Sequence, residues 1–312
     1  MRISVCIITY NQEKYIAQAI EGALFQQTDF DYELVVGEDC STDCTKEIIL
    51  SYQSRHPEKI RLLTTEQNLG MMENFTRTIK ACQGQYIALC EGDDYWTDPC
   101  KLQKQVDFLN SNPEYSMCFH KSVTANEINP DEGGFVYPAF TEDSDLTLED
   151  ILTSNPAFTA SVVFKKKYLE PLPNWFQNSP FGDWAVYLLV SRFGKIRYLN
   201  ECMSVYRIHT GGVHSSQTYS DSGEIKNLKK HIKFNKLISR HILGNMPHKD
   251  LNRQLVDMLF RLYELRKRQK SYTNMLAINT QLIPLKERPP LRLLVKNYFR
   301  IVLMIFNNGN NA

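Results

Sequence analysis

The chain has 312 residues with 43% hydrophobic content and a net charge of +1, which is typical of a globular protein with room for one large domain or two. Residues 1–5 lead directly into a strand pattern and no uncharged run reaches the ~18 residues of a membrane span, so we expect neither a signal peptide nor a transmembrane helix. The eight cysteines form no Cys-x-x-Cys pair, which favours buried, reduced thiols in a cytosolic protein over disulfides or a zinc site.

The charge is divided unevenly along the chain. Residues 1–220 contain 18 Lys and Arg against 29 Asp and Glu, whereas residues 221–312 contain 18 against 6, so the two parts carry net charges of −11 and +12. Such asymmetry indicates that the C-terminal part meets an anionic partner.

Strand and helix patterns alternate through the first third of the chain. Apolar runs predict strands at residues 3–9, 32–37, 60–64 and 86–90. Helical periodicity predicts helices at residues 13–27, 45–54 and 71–82, the last ended by Gly84. This alternation predicts βαβ units and a largely parallel sheet. No Gly-x-Gly-x-x-Gly or Gly-Lys-Ser/Thr loop is present, which argues against dinucleotide oxidoreductases and P-loop NTPases.

The second part of the chain continues with less regular patterns. They predict a helix at 99–110, a strand at 115–120, an exposed loop or short insertion at 126–145, a strand at 160–164, a helix at 184–193 and a strand at 198–206. From Glu224 onward the pattern is helical and basic, with a concentrated patch at residues 266–270.

Residues 291–306 interleave apolar bulk with Arg292, Lys296 and Arg300. A helix places these three cations on one face, as in helices that lie in an anionic membrane interface. The alternative is a helix packed on the domain or on a second subunit, which would make a homo-oligomer. We expect no nucleic-acid partner.

The acidic segment Glu91-Gly-Asp-Asp94 follows the fourth predicted strand. Clustered carboxylates at a strand end indicate a site for Mg²⁺ or Mn²⁺ that grips a phosphorylated ligand, because hard cations are shared between carboxylates, water and phosphate. The alternative is an acidic turn that begins the next helix, with Asp98 as its N-cap and Pro99 at the first helical position.

Four segments together carry a resemblance to a known family: residues 3–11, Val36-Gly-Glu-Asp39-Cys-Ser-Thr-Asp43, Asn68-Leu-Gly70 and the acidic segment. In this order they resemble family 2 glycosyltransferases with the GT-A fold. The resemblance covers about residues 1–215 and implies a Rossmann-like α/β fold, with a mixed, mostly parallel sheet flanked by helices. It implies a nucleotide-binding half at 1–112 and an acceptor half at 113–215, followed by the helical basic region 216–312.

The resemblance also implies the residues that hold the nucleotide, which are Thr9, Tyr10, Asn11, Glu13, Asp39, Asn68 and Asp93. A carboxylate such as Asp39 can accept the imide N–H of uracil, and a tyrosine such as Tyr10 can stack on the base. The alternative for Asp39 is an Asx-turn residue beside Ser41 and Asp43.

The acidic segment resembles the family's Asp-x-Asp motif, with Glu91 in place of its first Asp. Asp93 is the first choice as metal ligand, Asp94 is the other register, and His209 or His214 would be the third ligand. Arg207 and His209 would meet the diphosphate. The ion, Mn²⁺ or Mg²⁺, would neutralise the diphosphate leaving group.

Asp183 matches the family's general base, although Gly182 stands where members often have Glu. It would take the proton from the acceptor hydroxyl; the alternative is an N-cap on the following helix. The implied function is inverting transfer of a hexosyl or N-acetylhexosaminyl group from a nucleotide-diphosphate sugar, with UDP expected. The acceptor would be a saccharide or lipid-linked, in cell-surface polysaccharide synthesis at the cytoplasmic membrane face. The rivals are a sugar nucleotidyltransferase and a non-catalytic nucleotide-sugar-binding protein.

Overall fold

The structure is a computed structural model, and it describes residues 2–212, 220–269, 271, 274, 275, 277, 278 and 281. The chain divides into two compact units, residues 1–215 and residues 216–312. His214 and the predicted interfacial segment 291–306 lie outside the described residues. Among the described residues, no helix combines the length and the hydropathy that crossing a bilayer requires.

The strands of the first unit belong to one sheet. They are β1 (Ile3–Thr9), β2 (Tyr32–Glu38), β3 (Ile60–Leu63), β4 (Tyr86–Glu91), β5 (Tyr95–Trp96), β6 (Tyr115–Asn126), β7 (Val136–Tyr137), β8 (Ser144–Leu146), β9 (Val163–Lys165) and β10 (Lys195–Ile208). Its helices are α1 (Ile16–Leu24), α2 (Thr45–Arg55), α3 (Met71–Ala81), α4 (Lys101–Ser111), α5 (Leu148–Ile151) and α6 (Gly182–Val190).

The strand order is β3-β2-β1-β4-β9-β6-β10-β5, with β7 paired to β6 and β8 paired to β10. The longer ladders, β1 with β2, β1 with β4, β2 with β3 and β6 with β10, are parallel. The antiparallel ladders are short. The sheet is therefore mixed and mostly parallel, as predicted.

Helices cover both faces of the β1–β2–β4 region. Alternate residues Ile3, Val5 and Ile7 of β1 share one apolar cluster with residues of α1 and α4. On the opposite face α3 packs closely on β2. A Cβ added at Gly37 of β2 would meet the side chains of Asn74 and Thr78 of α3. Each buried Ile or Val stabilises this packing by ~1.5–3 kcal/mol relative to exposure.

Several predicted boundaries differ from the structure. The helix expected at 13–27 is shorter because a turn at residues 12–15 precedes α1. The strand expected at 115–120 continues to Asn126, and the expected loop 126–145 contributes β7 and β8. Gly84 is not a left-handed helix cap: a Cβ there would lie 2.4 Å from the Ser4 backbone N, so this glycine lets the chain pass close to β1.

All eight cysteines lie within the described residues and are free. Cys6, Cys82, Cys90 and Cys118 are buried, as the reduced-thiol interpretation predicted, but Cys44 and Cys202 are exposed, and the expectation of burial is wrong for these two. For a cysteine outside an apolar run, the sequence pattern does not indicate whether the thiol is buried or exposed.

The second unit is built on two helices, α7 (Asp221–His241) and α8 (Lys249–Arg268). Their apolar faces form one cluster that also includes Met275 and Ile278. The Asn235 amide donates to the Leu251 carbonyl at 2.9 Å, which joins the two helices through a buried polar contact. The helical, basic character predicted from Glu224 onward is present in these helices.

Candidate active site

A cleft of about 270 Å³ lies at the carboxyl ends of β1, β2 and β4. The parallel register brings these ends together, because Thr9 pairs with Glu38 and Ile8 pairs with Glu91. The cleft is lined by Ile8, Thr9, Tyr10, Gln12, Asp39, Asn68, Gly70, Met71, Asn74, Glu91, Asp93, Tyr206, Arg207, Gly211 and Gly212. This is where open α/β sheets bind their ligands.

Three carboxylates gather at one side of this cleft. Glu91 ends β4, Asp93 and Asp94 lie in the turn to β5, and one oxygen from each falls within 4.8 Å of the others. Burial, with Asp93 and Asp183 close by, raises the pKa of Glu91 to about 8. Burial, with Asp93 and Glu91 close by, raises the pKa of Asp94 well above its usual range.

These residues fit a hard divalent cation. Asp94 is buried, its Oδ1 accepts from the Arg207 backbone N at 2.9 Å, and its Oδ2 has no hydrogen-bond partner among the described atoms. A buried carboxylate oxygen without a donor is costly unless a proton or a cation meets it. Clustered carboxylate oxygens are the donor set that Mg²⁺ and Mn²⁺ prefer.

His209 and Arg207 reach this cluster from the end of β10 and the segment after it. His209 Nε2 lies 3.0 Å from Asp93 Oδ2, and its ring packs on Tyr15. Arg207 donates from Nη1 to the Asp93 carbonyl at 2.6 Å and from Nη2 to Gln18 Oε1, and its guanidinium lies over the Tyr95 ring. Arg207 therefore fixes the acidic turn in addition to lining the cleft.

Asp39 lies at the opposite side of the cleft, buried, just after β2. Its Oδ1 accepts from the Leu69 backbone N and its Oδ2 from the Gly70 backbone N, both at 2.8 Å. Asn68 donates from Nδ2 to the Asp39 carbonyl at 3.1 Å. The Asp39 carboxylate thus holds the loop between β3 and α3, and each oxygen keeps a lone pair for a further donor.

The other residues predicted to hold the nucleotide divide into two groups. Thr9 and Tyr10 line the cleft, and Tyr10 is exposed. Asn11 and Glu13 are absent from the described lining. Asn11 has a φ of 53° and its Oδ1 accepts from the Thr42 backbone N, while Glu13 accepts from the Cys44 backbone N. These two join the β1–α1 turn to the β2–α2 loop.

Asp183 is the second residue of α6, and its charge raises the pKa of Glu91, so it lies near the acidic cluster. Asn155 donates from Nδ2 to Asp183 Oδ2 at 2.9 Å. The alternative that Asp183 is the N-cap is wrong, because Phe181 takes that position. Asp98 is likewise not the N-cap of α4, which is Cys100; Asp98 lies two residues before Cys100 and its Oδ1 accepts from the Cys100 backbone N.

The glycine at position 182 has a packing reason. A Cβ at Gly182 would lie 2.7 Å from Phe75 Cδ1 and 3.1 Å from Met72 Sδ. Because α3 fills this space, a glutamate here would require Phe75 to move. The glycine that stands here, where family members often have glutamate, therefore fits the packing of α3.

The chain matches the family model described as glycosyl transferase family 2 over residues 4–168, which is more than half of its length. It belongs to glycosyl transferase family 2. The family and the GT-A-type α/β fold predicted from the sequence are both confirmed.

Similar proteins extend this comparison. An uncharacterized protein of Mycobacterium tuberculosis is 38% identical over 218 residues, which are 69% of this chain and 62% of that protein. This chain therefore spans less than two thirds of that relative's length. TuaG of Bacillus subtilis, whose name describes a teichuronic acid biosynthesis glycosyltransferase, is 27% identical to this chain. The match covers 69% of this chain's length and 82% of the length of TuaG. The crystal structure of S. aureus TarS 1-349 with UDP-GlcNAc has a TM-score of 0.66 at 19% identity, covering 92% of this chain and 82% of that one.

Sequence reasoning missed several residues of this family 2 cleft. Gln12, Asn74 and Tyr206 line it, and Gln12 Oε1 accepts from the Thr9 hydroxyl at 2.7 Å. A Cβ at Gly92 would lie 2.4 Å from Gln12 Oε1, so Gly92 admits this side chain. The sequence carries a signal for two of them, because Gln12 directly follows the Tyr10-Asn11 pair and Tyr206 directly precedes Arg207.

Proposed function

We propose that this family 2 glycosyltransferase is an inverting, metal-dependent enzyme that moves a sugar from a UDP-sugar to a saccharide or lipid-linked acceptor. The observation that carries the proposal is that one carboxylate, Asp183, lies near the separate acidic group Glu91–Asp93–Asp94, of which Glu91 and Asp93 line the cleft. Grouped carboxylates suit a cation, and a further carboxylate on a helix suits a base.

The nucleotide is proposed to lie across the cleft from the acidic group. The second lone pair of an Asp39 oxygen would accept the base imide N–H, and the exposed Tyr10 ring would cover the base. Asn11, Glu13 and Asn68 support this side by fixing the surrounding loops. The donor half would be residues 1–112 and the acceptor half residues 113–215.

The diphosphate is proposed to lie by Asp93, with Glu91 and Asp94 as the remaining oxygen donors to Mn²⁺ or Mg²⁺. The ion would supply charge neutralisation to the leaving diphosphate. His209 contacts Asp93 and is proposed to share the ion or a phosphate; Arg207 would meet a phosphate from its place in the lining. His214 stays a prediction from the sequence, outside the described residues.

Asp183 is proposed to take the proton from the acceptor hydroxyl as its oxygen attacks the anomeric carbon. The bond from that carbon to the diphosphate breaks on the opposite side in the same step, so the anomeric configuration inverts. Asn155 orients the Asp183 carboxylate for this role. Glu91 is proposed as an oxygen donor to the cation, so it is not needed as a second base.

The wider assignment follows the relatives. The name of TuaG concerns teichuronic acid, and the solved TarS complex contains UDP-GlcNAc, which favours an N-acetylhexosaminyl or hexosyl donor and cell-surface polysaccharide synthesis. The excess of cations after residue 220 favours peripheral association at an anionic cytoplasmic membrane face. A homo-oligomer through the C-terminal helices is the alternative use of that region.

The test is UDP release from a panel of UDP-sugars with Mn²⁺, comparing wild type with Asp183→Asn. We expect a turnover loss of about 10²–10⁴-fold with UDP affinity unchanged, because only the proton acceptor is removed. Asp257→Asn, an exposed carboxylate of α8, is the matched control and should retain full turnover.

Other outcomes would point to the rival functions. Pyrophosphate release from UTP and a sugar 1-phosphate would indicate a nucleotidyltransferase. UDP-sugar binding without turnover in wild type would indicate a binding protein. Full activity of Asp183→Asn would remove this residue from the mechanism.

A further inference from the structure

The second unit carries a groove of about 350 Å³, formed by α7, α8 and the described residues between 274 and 281. This volume lies within the range of small-ligand sites in proteins. Nothing in the proposed glycosyl transfer uses it.

Four cations form the rim of this groove. Lys229, Lys233 and Lys236 are spaced by four and three residues on α7, so they share one helix face, and Arg266 joins them from α8. Within the described part of the chain, no acidic residue lines the groove. The ion pairs described in this unit use Arg261 and Lys267 instead, so none of the four rim cations has a described carboxylate partner.

The base of the groove is apolar. Ile232 from α7, Leu259 and Leu262 from α8, and Ile278 are buried side chains of the cluster that holds this unit together, and all four line the groove. A ligand in the groove therefore meets positive charge at the mouth and hydrocarbon below. A small hydrophilic anion would use the rim alone, whereas an anionic amphiphile would use both.

Charge decides between the candidate occupants. A second copy of this unit would bring the same excess of cations, since residues 221–312 carry a net charge of +12. Residues 282–312 contain five Lys and Arg against one Glu, so this segment of the chain also has the wrong sign. An anionic partner has the complementary charge.

We propose that this groove binds the phosphate-bearing headgroup of an anionic membrane lipid. The phosphate lies among Lys229, Lys233, Lys236 and Arg266, and the first part of the acyl chain lies against Ile232 and Leu259. The proposal deepens the peripheral membrane association proposed above by giving it a site. It does not depend on the glycosyl-transfer chemistry.

The experiment is sedimentation of the full chain with vesicles of phosphatidylglycerol and phosphatidylcholine, compared with vesicles of phosphatidylcholine alone. The first variant is the triple substitution Lys229→Gln, Lys233→Gln, Lys236→Gln. The matched control is Lys226→Gln, Arg240→Gln, Arg253→Gln, which removes three exposed cations of the same unit that do not line the groove. Glutamine keeps helix propensity close to that of lysine.

We expect wild type to bind the anionic vesicles and to ignore phosphatidylcholine. The groove triple should bind about 100-fold more weakly, as expected for three cations that contact a lipid surface. The control should lose several-fold less. Equal losses in the two triples would contradict the proposal, because they would show attraction by overall charge without a site.

A second variant tests the apolar base without changing charge. Ala277→Trp places a large side chain in the groove, and we expect at least tenfold weaker binding to anionic vesicles. Unchanged or stronger binding would contradict the proposal, and this variant keeps the test available if the triple fails to fold. Inorganic phosphate should compete only weakly; full competition would show a phosphate site without a lipid.

Two further readouts separate the lipid site from a polysaccharide site and from the proposed catalytic function. Binding of a soluble anionic oligosaccharide in the groove, without vesicle binding, would assign the groove to a polysaccharide and overturn the lipid. UDP release from a UDP-sugar, measured without vesicles, should be the same in all variants. Loss of vesicle binding with UDP release intact would therefore leave the proposed catalytic function standing, whatever the groove does.

Discussion

Asp39 is a side chain whose structural role and proposed binding role coincide. Both of its oxygens accept backbone N–H groups from the loop that follows β3, and the same buried carboxylate lines the cleft. The sequence left a choice between an Asx-turn residue and a base ligand. The structure shows that its bonds go to Leu69 and Gly70, whereas the Ser41 N–H is bound by Glu38.

Asp39→Asn should therefore lower both stability and nucleotide affinity. An asparagine keeps one acceptor oxygen and turns an NH₂ group toward a backbone N–H, at a cost of ~1–3 kcal/mol. We expect a lower thermal midpoint and at least tenfold weaker UDP binding by calorimetry. Asp107→Asn is the control, since Asp107 is an exposed carboxylate of α4 that accepts from Gln103 and does not line the cleft. If both variants lose UDP affinity equally, Asp39 has no special role in binding.

Asn155 acts through another residue. Its Nδ2 donates to Asp183, its Oδ1 accepts from the Ala157 backbone N at 3.2 Å, and its carbonyl accepts from the Tyr137 hydroxyl. These contacts fix the direction of the Asp183 carboxylate.

Asn155→Ala should lower kcat about tenfold and leave the KM for the donor within twofold, because positioning of the proposed base Asp183 is lost while the proposed donor cleft is intact. Asn155→Ser keeps a donor hydroxyl and should recover part of the loss. Steady-state kinetics with varied donor make the test. A rise in donor KM equal to the fall in kcat would show that Asn155 shapes the donor cleft instead.

At the scale of elements, α4 begins on an unusual residue. Lys101 is fully buried, donates from Nζ to Gln105 Oε1 at 2.8 Å, and lies 4.1 Å from the centre of the Trp96 ring. Burial lowers the pKa of Lys101 to about 7. The helix N-terminus disfavours a cation in the same direction.

The pKa of Lys101 gives a pH dependence with a definite sign. In the unfolded chain a lysine has a pKa near ~10.4, so between about pH 7 and 10 the unfolded state binds the proton that the native state has released. Stability therefore rises with pH through this window relative to a variant without the group. Between pH 7 and pH 9, the free energy of unfolding of wild type should rise by about 2–3 kcal/mol relative to that of Lys101→Met, at ~1.4 kcal/mol per pH unit.

Denaturant titrations of both proteins at pH 7 and pH 9 measure this difference. The comparison with Lys101→Met removes the effects of cysteines and tyrosines, which titrate in both proteins. A difference that does not change with pH would mean that the Trp96 ring keeps Lys101 charged in the native state.

Which elements the sequence could predict depends on their length. β1, β2 and β4 are apolar runs of six or seven residues, and the stripe of α1 recurs at helical spacing, so local pattern identified them. β5, β7 and β8 have two or three residues, and they exist because β6 and β10 offer partners distant in the sequence. The Phe75 contact that excludes a side chain at Gly182 is equally non-local.

In the molecule as a whole, the site likewise combines residues that the sequence pattern could place together with contacts that depend on distant parts of the chain. Asp39 and the acidic segment could be placed together from the sequence, because parallel strands on either side of β1 end at one edge. The contacts of Arg207 with Asp93 and Asp94 join residues more than 110 positions apart. They depend on the antiparallel pairing of β5 with β10, which no local pattern carries.

In the proposed site, Asp93, with Glu91 and Asp94, would hold a divalent cation that neutralises the diphosphate of a nucleotide whose base lies against Asp39. Calorimetric titration of the protein with UDP, in the presence of Mn²⁺ or of EDTA, tests this assignment. We expect at least tenfold tighter UDP binding with Mn²⁺ in wild type, and loss of that gain in Asp93→Asn with the weak metal-free binding retained. Equal UDP affinity in Mn²⁺ and EDTA for wild type would contradict it.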